Sequence, residues 1–302
     1  MRTTMEREIA TQPAVWAEAA ELATARAAVL PAAGERVCAI GCGTSLFMAQ
    51  AYAALRERAG HGWTDAFPAS ELPPGRAYDV LLAISRSGTT SEVVHALGRG
   101  VAARTVALTA DAGSPVGAAA GATIELPFAD ERSIVQTRFA TGALSLLRET
   151  LQPGSASAIA ADGARALSDP LPVGDPGAIE QWTFLGHGWT VGLAHEAALK
   201  LRESAQAWTE AYPLFEYRHG PISIAAPGRV IWSLGPLEPA VAAELQATGA
   251  TVVAERLDPL AGLVRAQRVA AELARARGLD PDHPRNLTRS VVLADRDLEL
   301  LS

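Results

Sequence analysis

The stretch Asp79-Val80-Leu81-Leu82-Ala83-Ile84-Ser85-Arg86-Ser87-Gly88-Thr89-Thr90 fixes the reading of the fold. Its first six residues form a short apolar run, the mark of a buried strand. Gly and hydroxyl residues then break the run, and a helical pattern follows. Upstream, Arg36-Val37-Cys38-Ala39-Ile40 is a second short β-like run, ending at Gly41, and residues 46–58 have helical spacing. Downstream, residues 104–108 and 123–126 are two more strand candidates. Residues 14–29 are Ala-rich, with apolar positions at helical spacing. Strands alternating with helices imply a parallel sheet covered by helices on both faces.

The pattern then repeats. Ala39-Ile40-Gly41-Cys42-Gly43 and the helical Ala-Tyr-Ala-Ala-Leu at 51–55 recur, at an offset of 145 residues, as Phe184-Leu185-Gly186-His187-Gly188 and Glu196-Ala197-Ala198-Leu199-Lys200. Strands at 230–234 and 251–255 and helices near 238–247 and 260–277 complete the second copy. The expected architecture is therefore α/β, two duplicated lobes, each a flavodoxin-like three-layer unit with a parallel sheet flanked by helices. Residues 151–177 are rich in Pro, Gly, Ala and Ser, with room for one short helix. They read as a linker, which places the lobes at 1–165 and 166–302. The polar segment from Asp282 to Ser290 reads as a surface loop before a last strand.

Composition narrows the function. The chain has 302 residues, 49% hydrophobic and 20% charged, enough for two cores. A formal net charge of −7 disfavours general nucleic-acid binding. Cys38 and Cys42 are too few for a disulfide framework and read as small packing residues. Residues 1–20 contain no apolar signal segment and carry Glu6, Glu8 and Glu18. No apolar stretch reaches membrane-spanning length, so a cytoplasmic protein is expected.

Two loops carry the binding chemistry. Ser85 to Thr90 lies where a strand hands over to a helix, and Gly41-Cys42-Gly43-Thr44-Ser45 occupies the matching place on the neighbouring strand. Hydroxyls, a turn glycine and a helix N-terminus together suit a phosphate. In open parallel sheets, ligands sit outside the carboxyl ends of the strands. Helix capping is the plainer alternative for any one Ser or Thr. The dinucleotide fingerprint fails because Leu46 replaces its third glycine, and no Gly-Lys pair makes a P-loop. In the second copy the corresponding loop is Gly235-Pro236-Leu237-Glu238, without hydroxyls.

Glu196, Lys200 and Glu203 share one helix face. That face is either solvated or a proton-transfer set, with Glu203 as base and Lys200 beside it. Lys200 is the one lysine among 26 basic residues. His219 falls in the loop Arg218-His219-Gly220-Pro221, which can present an imidazole.

These segments resemble the SIS (sugar isomerase) family, and in particular the isomerase part of glutamine–fructose-6-phosphate amidotransferases. The carriers are Cys42 to Ser45, Ser85 to Thr90, Ala198-Leu199-Lys200-Leu201-Arg202-Glu203, Thr209-Glu210-Ala211-Tyr212, Arg218-His219-Gly220-Pro221 and Pro284 to Val291, in family order over roughly residues 37–292. The resemblance implies a phosphosugar enzyme without cofactor or metal. Thr44, Ser45, Ser85, Arg86, Ser87 and Thr90 would hold the phosphate. Glu203 would move a proton between carbons 1 and 2, with Lys200 beside it. His219 would open the sugar ring, lent across a homodimer interface.

Two departures matter. Arg289 stands where the family has a Schiff-base lysine, and a guanidinium stays protonated. Only 36 residues precede the first strand, so glutamine-dependent amination by this chain alone is not expected. The expected function is aldose–ketose isomerisation or deamination of an amino-sugar 6-phosphate such as glucosamine 6-phosphate. The alternatives are elimination from an N-acetylated sugar phosphate such as N-acetylglucosamine 6-phosphate, and non-catalytic sugar-phosphate sensing.

Overall fold

Among the described residues, nine parallel strands form two sheets. The structure is a computed structural model and describes residues 2–301. The first sheet contains β1 (Val37–Gly41), β2 (Thr64–Pro68), β3 (Tyr78–Ser85), β4 (Ala102–Thr109) and β5 (Ala122–Glu125), in the order β2-β1-β3-β4-β5. The second contains β6 (Gln181–Gly186), β7 (Thr209–Pro213), β8 (Arg229–Ser233) and β9 (Thr251–Ala254), in the order β7-β6-β8-β9. The helices are α1 (Thr4–Ile9), α2 (Gln12–Ala25), α3 (Thr44–Arg58), α4 (Ser91–Gly98), α5 (Pro115–Ala119), α6 (Arg138–Leu151), α7 (Ser155–Ser168), α8 (Thr190–Ala205), α9 (Pro239–Gln246), α10 (Pro259–Ala276) and α11 (Asp295–Leu298).

Two compact units result. One comprises Ala14–Glu131, Arg138–Ala156 and Thr288–Ser302 and holds the first sheet. The other comprises Met1–Pro13, Arg132–Thr137 and Ser157–Leu287 and holds the second. The amino-terminal helix joins the second sheet's unit because the Asp282 carboxylate accepts the Thr4 and Met5 N–H groups at 2.6 and 2.9 Å. The segment read as a linker contains the whole of a 14-residue helix, α7.

In the first unit β3 reads as one apolar run because both of its faces are covered. Leu81 and Ala83 join Cys38, Ile40, Val93, Leu97 and Val116 in one core cluster. The alternate positions Val80, Leu82 and Ile84 are equally buried. In the second unit Leu185 and Ile231 pack with Tyr217 and Leu245. Trp182, Phe184 and Trp232 are buried on the alternate positions, with the Phe184 and Trp232 rings 5.7 Å apart.

The duplication shows at the strand–helix junctions. A Cβ on Gly41 would lie 2.6 Å from the Ser45 carbonyl carbon, and one on Gly186 2.3 Å from the Thr190 carbonyl oxygen. Both sheets therefore let the following helix approach to a distance only glycine allows.

Two differences from the sequence reading stand out. Strands β2 and β7 lie at the sheet edges, and neither was expected. Their sequences match position for position at the 145-residue offset: Trp63-Thr64-Asp65-Ala66-Phe67-Pro68 and Trp208-Thr209-Glu210-Ala211-Tyr212-Pro213. Both tryptophans are exposed, at 62% and 75%. Polar residues and a terminal proline give such edge strands little apolar signal. The last strand expected after Ser290 is absent among the described residues. Short helical turns occupy 295–301 instead, because the Ser91 hydroxyl accepts the Leu293 N–H and the Ser91 N–H donates to the Val291 carbonyl, docking the tail at the start of α4.

Candidate active site

All six predicted phosphate contacts lie in the first sheet's unit. Ser85 ends β3, Thr44 and Ser45 open α3, and Thr90 is the N-cap residue of α4. Neither α3 nor α4 is capped by a side chain. The hydroxyls are therefore not spent on capping these helices, which was the plainer reading of them. Ser87 Oγ accepts the Thr89 N–H at 3.2 Å, and Thr90 Oγ1 lies 3.5 Å from Ser290 Oγ. Ser85 is almost wholly buried, and its hydroxyl has no hydrogen-bond partner among the described residues. A buried polar group left this way costs roughly 1–3 kcal/mol, which a ligand oxygen would return. Gly88 has φ +66°, and a Cβ there would fall 1.9 Å from Ser114 Oγ. No other residue fits this turn as it stands.

Arg86 is buried, and its Nη2 donates to the Arg289 carbonyl at 3.0 Å. Arg289 is thus tied by its backbone to the Ser85–Thr90 loop. Its side chain points elsewhere. Nη2 pairs with Asp130 Oδ1 at 2.5 Å and Nη1 donates to the Glu131 carbonyl. Asp130 and Glu131 carry no periodic signal in the sequence and lie far from residue 289 along the chain. Only the fold brings these residues together.

Cys42 sits between the hydroxyl loops, yet burial, with Glu92 nearby, pushes its thiol up to about 11. Burial, followed by Asp65, pushes Cys38 to about 12. Both behave as packing residues.

The proton-transfer candidates lie in the other unit. Lys200 Nζ is 2.5 Å from Glu203 Oε2 and 3.4 Å from Glu196 Oε1. Lys200 and Glu196 are 0% and 1% exposed at the side chain, whereas Glu203 is 18% exposed. This is not a solvated helix face. The helix buries a lysine between two carboxylates and leaves one carboxylate within reach of a ligand. His219 follows a 3-10 turn, Glu216–Arg218, and is exposed, its N–H bonded to the Glu216 carbonyl at 3.0 Å. Among the described residues no group of His, Cys, Asp and Glu could hold a metal ion, and no helix is long and apolar enough to cross a membrane.

Residues 32–147 match the family model of the SIS domain. That stretch is a SIS domain. Over 96% of its length the chain is 30% identical to the isomerizing glutamine–fructose-6-phosphate aminotransferase of Aeropyrum pernix. Over 86% of its length it is 29% identical to that of Gloeobacter violaceus. It spans 57% and 52% of those two relatives' own lengths. Among solved structures it resembles glucosamine-6-phosphate deaminase from Thermotoga maritima, with a TM-score of 0.82 and 24% identity, over 96% of this chain and 100% of that one. It also resembles tagatose-6-phosphate ketose/aldose isomerase from Escherichia coli, with a TM-score of 0.80 and 18% identity, over 97% of each chain. These structural likenesses establish the fold, two parallel sheets flanked by helices.

Proposed function

We propose that the protein is a cytoplasmic deaminase or aldose–ketose isomerase acting on an amino-sugar 6-phosphate, with glucosamine 6-phosphate as the first candidate. The observation that carries this reading is the buried Lys200 between Glu196 and Glu203, with only Glu203 reaching solvent. A carboxylate fixed in place by a hydrogen bond and partly open to solvent is positioned to act as a general base. The Ser85 hydroxyl, buried without a partner near two uncapped helix starts, supports a phosphate as the anchoring group.

In this reading Thr44, Ser45, Ser85, Arg86, Ser87 and Thr90 hold the phosphate. His219, lent by a second copy in a homodimer, moves the proton that opens the sugar ring. Glu203 takes the proton from carbon 2 of the open-chain sugar, and Lys200 offsets the negative charge that develops. Glu203 then returns the proton to carbon 1. For an aminosugar the product is an imine at carbon 2, and water converts it to the ketose with release of ammonia. Glu196 holds the lysine from its buried side.

A second reading is favoured by Arg289, whose guanidinium is engaged by Asp130 and the Glu131 carbonyl and cannot form a Schiff base. The same base could then expel a substituent from carbon 3 of an N-acetylated sugar phosphate. Incubation in D2O with glucosamine 6-phosphate, fructose 6-phosphate and N-acetylglucosamine 6-phosphate separates the readings. Deuterium at carbon 1 or 2, with ammonia released from the aminosugar, supports deamination. An unsaturated, ultraviolet-absorbing product supports elimination. Binding of all three without exchange or turnover would leave only a sensor.

A further inference from the structure

Asp130 and Glu131, between β5 and α6, join the chain's tail to the hydroxyl loop at 85–90. Both are held from the α6 side. The Glu131 carboxylate accepts the Arg138 and Phe139 N–H groups at 2.9 and 3.3 Å. These are the first two residues of α6, whose N–H groups have no acceptor within the helix. The Asp130 carbonyl accepts from Arg138 Nε at 2.9 Å. Arg289 then takes the Asp130 carboxylate with Nη2 and the Glu131 carbonyl with Nη1.

The guanidinium is one attachment of the tail, and its backbone supplies the others. The Arg289 carbonyl accepts from Nη2 of buried Arg86 at 3.0 Å. The following residues run along the loop into α4. Ser290 Oγ lies 3.5 Å from Thr90 Oγ1, and the Val291 carbonyl accepts the Ser91 N–H at 3.4 Å. The Ser91 hydroxyl accepts the Leu293 N–H at 3.0 Å. Val291 and Val292 are exposed, so apolar burial contributes little to this docking. Two of the backbone-side contacts are at the long limit of hydrogen bonding. The charged pair, at 2.5 Å, is therefore the strongest attachment.

We propose that Asp130 is a positioning residue for the loop at 85–90. By pinning the Arg289 guanidinium, it holds residues 289–293 along the loop and so fixes the Arg289 carbonyl that receives Arg86. This gives Arg289 a part that needs no amine, since its planar fork spans an acid and a carbonyl at once. The pinning stands on the contacts alone, while its consequence for binding rests on the phosphate reading of the loop given above.

Amide hydrogen exchange on the full chain, without substrate, tests the pinning. Asp130→Asn keeps the shape and an acceptor but removes the charge. It should speed exchange of the Ser91 and Leu293 amides, which the docked tail protects, by about tenfold, leaving β1 and β3 unchanged. In the wild type, salt at about 1 M should produce much of the same rise, because the pair is partly exposed and is screened. In Asp130→Asn, salt should add little. Unchanged exchange in the variant, or a rise shared equally with β1 and β3, overturns the proposal. Calorimetry with inorganic phosphate and with glucosamine 6-phosphate tests the consequence. Asp130→Asn should weaken both by about three- to tenfold, and should cost nothing further once Arg289→Ala is present. In turnover the same variant should raise KM with kcat nearly unchanged. An additive loss in the double variant, or a lower kcat at unchanged KM, overturns the positioning role. If the wild type binds neither phosphate nor the sugar phosphate, the phosphate reading of the loop fails, and exchange alone decides the pinning.

Discussion

Where α8 carries Glu196, Lys200 and Glu203, the matching positions of α3 carry Ala51, Leu55 and Arg58. Leu55 is as buried in its unit as Lys200 is in the other. The frame accepts a leucine there without difficulty, so the lysine is not demanded by packing. The loops differ in the opposite sense. Around α3 and α4 the first unit gathers hydroxyls that cap neither helix. The helices α8 and α9 also lack side-chain caps, but Thr190 Oγ1 is engaged by both the N–H and the carbonyl of His187. Glu238 stands at the N-cap of α9, where it would repel an anion. In the proposed function, one copy of the duplicated unit holds the phosphate and the other moves the proton. The comparison teaches that a duplicated α/β frame can separate anchoring from chemistry by changing a few residues at equivalent points.

The largest effect should come from making the second half like the first. Lys200→Leu leaves two carboxylates around a buried site with no counter-charge, and should cost about 3–5 kcal/mol in denaturant unfolding. Adding Glu196→Ala matches α3 at two of the three positions and should recover much of that loss, because an apolar replacement of a buried ion pair is often neutral. Turnover should stay absent in the double variant. If the single variant is as stable as wild type, Lys200 is not held as described.

A smaller effect contrasts two glycines. Gly88→Ala should cost about 1–3 kcal/mol and weaken glucosamine 6-phosphate binding in calorimetry, since its Cβ would meet Ser114. Gly235→Ala, in the corresponding loop of the second half, has open space around it and should change neither. Equal effects at both sites would break the assignment of anchoring to the first half.

The smallest effect concerns Cys42, whose equivalent in the second half is His187. With its thiol near 11, only about one part in a thousand is thiolate at pH 8. Alkylation by iodoacetamide should accordingly be slow there and accelerate as pH rises toward 11. Fast labelling at pH 7 would show a reactive thiol in the anion loop.

Much of this frame was legible in the sequence. The apolar runs of β1, β3, β4, β6 and β8 announce buried strands because both faces of each are covered. The strands β2 and β7 do not, since their residues mix polar with apolar and each ends on proline. Their repeat, Trp-Thr-acid-Ala-aromatic-Pro, was the signal available. Helical spacing put Glu196, Lys200 and Glu203 on one face, but periodicity cannot say whether that face is solvated. Its burial depends on α10 and β7 packing against α8, contacts made by residues far apart in the chain. The pairing of Arg289 with Asp130 is equally a product of the fold. Local sequence shows neither partner.

Solvent deuterium exchange at carbon 2 of glucosamine 6-phosphate, followed by NMR at saturating sugar, tests the division of labour most directly. Wild type should exchange the proton. Glu203→Gln should bind the sugar with nearly unchanged affinity, and its exchange should fall by roughly 10²–10⁴-fold. Exchange by Glu203→Gln at the wild-type rate would contradict the account.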